Sequence, residues 1–159
     1  MAKVIQTSKS GSLQLSPNFY LAEFLVSNTA TRLGLDNAPD PLAVQNLFKM
    51  AELMEKIRKL LGDRVVVVSS GFRSPAVNKA VGGSASSDHM RGEACDFVCN
   101  GFGTPLQVSH AIVKSSINFG QLIQEGSWVH ISLPGGKHQR QVLTARFANG
   151  KASYTEGLV

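Results

Sequence analysis

The residues best equipped for chemistry lie in Ser87-Asp88-His89-Met90-Arg91-Gly92-Glu93-Ala94-Cys95-Asp96, followed 34 positions after Asp96 by Trp128-Val129-His130. A mononuclear catalytic zinc needs three protein ligands and one open position for water. His89 in a loop, Asp96 on the next strand and His130 on a later strand could supply the three. On alternating strands Ala94, Asp96 and Val98 share a face, as do Trp128, His130 and Ser132. If those strands pair, Asp96 and His130 converge on one ion. Ala94 is small enough to leave room, and Gly92 lets the loop fold back over the site. Cys95 falls on the opposite face and is rejected as a ligand. A lone histidine on a strand is more often core packing, and a lone aspartate more often caps a turn. The joint pattern His-x-x-Gly-x-Ala-x-Asp, however, arises by chance in roughly one chain in a thousand of this length.

Several elements must position these groups. Asp40-Pro41 reads as an N-cap with proline at the first helical position. Leu47, Met50, Ala51, Met54, Ile57 and Leu61 then recur at helical spacing, and the helix stops near Gly62. Ser16-Pro17 suggests an earlier helix with Leu21, Phe24 and Leu25 on its apolar face. Residues 64–70 read as a buried strand, 75–81 as a short helix, 82–92 as a flexible loop and 94–99 as a second strand. Thr104-Pro105 with Gln107 resembles a capping box opening a helix to about Ile117. Residues 121–124, 127–132 and 141–147 read as further strands, with Pro134-Gly135-Gly136 as a turn. The fold class is α+β: an open antiparallel sheet carrying the metal site, with helices packed on it.

The 159 residues suit one domain, large enough to bury roughly 68–70% of the unfolded surface. Residues 1–14 read as a polar N-terminal arm and 15–159 as the domain. Apolar residues at 43% and charged residues at 17% exclude a disordered chain. Fifteen glycines and six prolines imply many turns, so loops should carry chemistry. A net charge of +5 favours anionic partners such as cell-wall polymers. The basic residues form no stripe and lack aromatic interleaving, so no nucleic-acid partner is expected. Cys95 and Cys99 on one strand would stand roughly 13 Å apart, beyond disulfide reach. The first eleven residues lack a signal peptide's apolar core, and nothing approaches the ~18 apolar residues of a membrane span. Synthesis in the cytoplasm without stable membrane association is the expectation.

With these motifs the chain resembles the zinc D-alanyl-D-alanine carboxypeptidases and related murein endopeptidases of bacteria and phages. Ser87-x-His89-x-x-Gly92-x-Ala94-x-Asp96 is similar to that family's first zinc motif and Trp128-Val129-His130 to its last. Ser70-Gly71-Phe72-Arg73-Ser74 resembles its Ser-Gly-Tyr-Arg-Ser segment. The resemblance runs from about Leu15 to Phe147. It implies Zn2+ held by His89, Asp96 and His130, with Arg73 steadying a substrate carbonyl or carboxylate and Ser87 hydrogen-bonding substrate. Trp128, two before His130, reads as a wall of the cleft or as core. A guanidinium suits the Arg73 task because its planar fork pairs two oxygens.

One departure concerns the catalytic acid that many members carry three positions before the last histidine, where this chain has Ser127. The nearest carboxylate is Glu125. Strand parity turns it away from His130 unless a bulge at Gly126 redirects it. Glu125 is the general-base candidate, with Asp88 and Glu93 in reserve. What the resemblance implies is a monomeric zinc metallopeptidase cutting a peptide bond in the stem or cross-link of peptidoglycan. The expected setting is a phage endolysin released through a holin pore, or a virion-associated lysin. The alternative is a non-catalytic zinc-stabilised module of the same fold that binds cell wall or protein.

Overall fold

The computed structural model describes residues 12–159. The polar arm expected over residues 1–14 lies almost wholly outside the described residues. Gln14–Ser16 (β1) and Phe19–Tyr20 (β2) pair as a small antiparallel ribbon. The helix expected at Ser16-Pro17 instead begins at Leu21, because Pro17-Asn18 is a turn held by a distant carboxylate. Glu55 accepts hydrogen bonds from Ser16 Oγ at 2.7 Å, the Asn18 backbone N–H at 2.7 Å and Asn18 Nδ2 at 2.9 Å. Leu21–Leu25 (α1) buries Phe24 with Leu21 and Leu25 beside it, as its apolar face requires. Asn28–Leu33 (α2), capped by Ser27, was not foreseen.

Pro41–Leu60 (α3) is the main helix, capped by Asp40, whose side chain accepts from the Ala43 N–H at 2.7 Å. Leu47, Met50, Ala51, Met54 and Ile57 are fully buried along one face. The chain leaves the helix through Leu61 and turns at Gly62, where φ is +81°. Two shorter helices follow, Pro75–Ala80 (α4) and Pro105–Lys114 (α5), the second opened by the Thr104/Gln107 capping box. α5 stops three residues before Ile117 because Ser115 turns its hydroxyl back onto the Ile112 carbonyl at 2.6 Å.

Six strands make the central sheet: Val67–Ser70 (β3), Ala94–Val98 (β4), Gln121–Gln124 (β5), Val129–Ser132 (β6), Gln141–Ala148 (β7) and Lys151–Glu156 (β8). Their order is β3-β4-β6-β5-β7-β8. Residues 64–70 do not form a buried strand. β3 begins only at Val67 and is an edge, with Val65 at 74% and Val67 at 52% exposure. Cys99 falls just beyond β4, and residues 127 and 128 belong to a turn rather than to β6. Strand β8 was missed although Asn149-Gly150, both at positive φ, is a strong hairpin signal. The sheet is antiparallel except between β5 and β7. The β6–β7 loop passes the start of β5, so β7 runs in the same direction as β5.

The sheet has one dry and one open face. Cys95, Phe97, Leu122, Val129 and Ile131 pack on α3 and α5 in the core, each worth about 1.5–3 kcal/mol of burial for the larger side chains. Both cysteines are buried and unpaired. The alternate residues Asp96, Ile123, His130 and Leu143 line a cleft on the other face.

The Glu55 contacts make stability pH-dependent. Its slight burial raises the pKa, but hydrogen bonds from Asn18 and Ser16, with Arg58 nearby, outweigh that and leave it below 4.5. A depressed carboxylate stabilises the fold above its unfolded pKa, and the gain is lost as pH falls through the folded value. Glu55→Gln should therefore cost about 1 kcal/mol in urea unfolding at pH 7. The gap to the native protein should close below the folded pKa; a gap that persists in acid would exclude this role.

Candidate metal centre

Asp96 and His130 face each other directly across the β4–β6 pair. His130 Nδ1 lies 2.9 Å and His89 Nε2 3.3 Å from Asp96 Oδ1. Donor atoms of all three residues fall within 4.8 Å of one another. Tetrahedral ligands ~2.0–2.2 Å from zinc sit about 3.4 Å apart, so two imidazoles and one carboxylate fit that ion. Asp96 is well suited to act as an anionic ligand. Burial pushes its pKa up, but His89 and His130 pull it well below the ordinary carboxylate range.

His89 is oriented from behind. It sits on the 3₁₀ turn Asp88–Arg91, whose first residue follows Ser87; the Ser87 hydroxyl accepts from the His89 N–H at 3.3 Å. Its Nδ1–H donates to the Gly71 carbonyl at 2.6 Å, which leaves the Nε2 lone pair aimed at the cluster. Gly71 cannot be replaced cheaply, since a Cβ there would stand 2.6 Å from the Phe24 carbonyl oxygen. Gly92 ends the turn at φ +71° with the Ala43 carbonyl pressed against it. Sequence reasoning singled out Ser70–Ser74 for Arg73 and missed that the Gly71 carbonyl orients the His89 ring.

Arg73 is brought to the same cleft by its backbone N–H, which donates to the His89 carbonyl at 3.0 Å. Among the described residues no carboxylate lies within ion-pair distance of it, and its buried Nε has no partner. Burial lowers its pKa, while Asp96 and Glu125 hold the proton on. This is a cation with no carboxylate partner among the described residues. Its Nη2 touches Ser87 Oγ at 3.4 Å, so the Ser87 hydroxyl accepts internally and keeps its own proton to donate.

Glu125 reaches the cleft by a different route from the expected bulge. Residues 125–128 are the β5–β6 hairpin turn, with Gly126 at φ +80° and the Glu125 N–H donating to the Trp128 carbonyl at 3.0 Å. Parity therefore runs forward from Ile123, which pairs with His130, and not backward from His130. Counted that way, Glu125 shares the metal-side face. Burial raises its pKa, and Asp96 raises it further against smaller pulls from His130, Trp128 and Arg73. The Trp128 indole N–H is buried and makes no hydrogen bond of normal geometry, yet it still favours the Glu125 charge. The reserves fare worse. Asp88 is paired with Arg91 and approached by Lys137 at 4.0 Å, and Glu93 is bonded to Arg91 at 2.9 Å. His110 is on the exposed face of α5, whereas His138 lines the cleft.

The cleft has a volume of about 610 Å³. Residues beyond sequence reach line it, notably Lys137, Phe147 and Tyr154. Lys137 donates to the Ser86 carbonyl at 3.1 Å and ties the β6–β7 loop to the metal loop.

An α+β sheet with this donor set beside a carboxylate is an arrangement that could hold a metal ion next to a base. A sequence model of the Peptidase M15 family matches residues 17–132, and the chain belongs to that family. It is also similar to the zinc D-Ala-D-Ala carboxypeptidase of Streptomyces albus G, at 42% identity over 67 residues. That match covers 42% of this chain and 24% of the relative, so the chain matches about a quarter of that protein's length.

His130→Ala should drop zinc from one ion per chain to near none by elemental analysis, whereas Cys95→Ala should keep it. Equal losses in the two variants would contradict the ligand set.

Proposed function

We propose that the protein is a zinc metallopeptidase that hydrolyses a peptide bond in the stem or cross-link of peptidoglycan. The observation carrying this reading is the convergence of His89, Asp96 and His130 with Glu125 and an unpaired Arg73 in one cleft. Zinc held by the three ligands would lower the pKa of water towards ~7 and polarise the scissile carbonyl. Glu125 accepts the proton of the attacking water and delivers it to the departing amine; its raised pKa makes it a better base than an ordinary surface carboxylate. Arg73 places its guanidinium against the oxygen on which charge develops. Ser87 and Trp128 hold the substrate beside it.

The zinc carboxypeptidase relative supports a peptidoglycan substrate. The net charge of +5 supports attraction to anionic wall polymers. No helix among the described residues is long and apolar enough to cross a membrane. Within the same proposal the chain acts as a monomer, without nucleic acid, as a phage lysin passing through a holin pore or carried in the virion. A binding module without catalysis was favoured by Ser127; Glu125 in the cleft supports the enzyme instead.

Glu125→Gln should keep one zinc per chain and lose about 10²–10⁴ in kcat on purified peptidoglycan. Chelation should abolish activity and added zinc restore it. Turnover near normal in Glu125→Gln, or undiminished by chelator, would refute the mechanism.

A further inference from the structure

Building on the murein-peptidase reading, we infer that the β7–β8 end of the cleft, walled by Trp128, Phe147 and Tyr154, binds the primary ammonium of a diamino-acid side chain in the substrate. These strands continue the metal-bearing face. Ile123 is in register with both His130 and Leu143, and Leu143 with Glu156. The same parity turns Phe147, Ala152 and Tyr154 into the cleft, which they line. Strands lie about 4.8 Å apart, so β7 and β8 stand roughly 10 and 14 Å from the strand of His130. A long side chain one to three residues from the scissile bond spans that distance.

The aromatic area there is not committed to the core. Phe147 is 56% and Tyr154 55% exposed, and the Trp128 and Phe147 rings stand 6.1 Å apart at 37°. Charge is divided along the cleft. Arg73 and Lys137 line it beside the metal loop, while Arg146 and Lys151, the basic residues of β7 and β8, have the opposite parity and do not line it. Glu125 lines the cleft and its field reaches Tyr154, and Glu156 shares the face of Tyr154 on β8. Burial and then the Glu125 charge push the Tyr154 hydroxyl's pKa up. Aromatic faces beside a carboxylate attract a cation through the ring quadrupole, within ~6 Å of a ring centroid. A substrate carboxylate would be repelled there by Glu125, and a short apolar side chain would leave most of the ring area open. Stem peptides carry one diamino acid, and its amine is free where the stem is not cross-linked.

The test uses the peptide L-Ala-γ-D-Glu-L-Lys-D-Ala-D-Ala and its Nε-acetyl form, with kcat/KM and calorimetric binding measured for both on the zinc-loaded protein. The native protein should prefer the amine by about tenfold. Phe147→Ala and Tyr154→Ala should each bring that ratio close to one, while Tyr154→Phe, which keeps the ring, should preserve it. A ratio within one preparation does not depend on the fraction folded, so a destabilised variant remains informative. A native ratio near one, or a preference that survives both alanine variants, would overturn the inference. Binding preference without turnover of either peptide would support it and contradict the hydrolytic reading alone.

Discussion

The antiparallel register between residues 94–98 and 129–132 is the constraint on which the site depends. Because the side-chain period of a strand is two, a slip of one residue would send Asp96 or His130 into the apolar core and bring Cys95 or Ile131 to the cleft. The core prevents that slip. Cys95, Phe97, Val129 and Ile131 are all fully buried against the helices, so the dry face sets which residues the wet face offers. Two of the three candidate ligands therefore come from rigid, hydrogen-bonded strands. The third, His89, comes from a loop and needs the Gly71 carbonyl to hold its ring.

The functional groups divide by the kind of support they have. Asp96 is drawn to its ionised form by two imidazoles, although burial opposes it. Arg73 and Glu125 are held short of contact, each partly buried and each influenced by Asp96. Leaving a guanidinium Nε buried and unpaired lowers stability, which is how a site keeps a donor free for an incoming oxygen. The Lys137 bridge and the Asp88–Arg91–Glu93 pairs do the complementary work of tying down the loop that carries His89. Charges on the metal loop are thus satisfied, whereas Arg73 in the cleft has no carboxylate partner among the described residues.

Much of this was legible in the residue order. The convergence of His89, Asp96 and His130, the Asp40 and Thr104 caps and the opposed faces of Asp96 and Cys95 follow from periodicity and residue type, and the structure brings them together accordingly. What failed were inferences needing strand order or turn position. Val65 and Val67 look like core by composition, but only the sheet order reveals an edge. Glu125 was counted backward from His130 through residues that are in fact the hairpin turn; counted forward from Ile123 at the end of β5, the same parity rule puts it on the cleft face without a bulge. Gly71 acts through its carbonyl, which no side-chain pattern can reveal. Strand β8 is a different matter, because its Asn149-Gly150 turn was visible and was passed over.

Zinc-edge anomalous diffraction from crystals of the zinc-loaded protein is the most direct measurement of the centre. One peak should appear ~2.0–2.2 Å from His89 Nε2, an Asp96 carboxylate oxygen and a ring nitrogen of His130, with a fourth position facing the cleft. A peak at another site, or none beside these three side chains, would contradict the metal centre and the hydrolysis built on it.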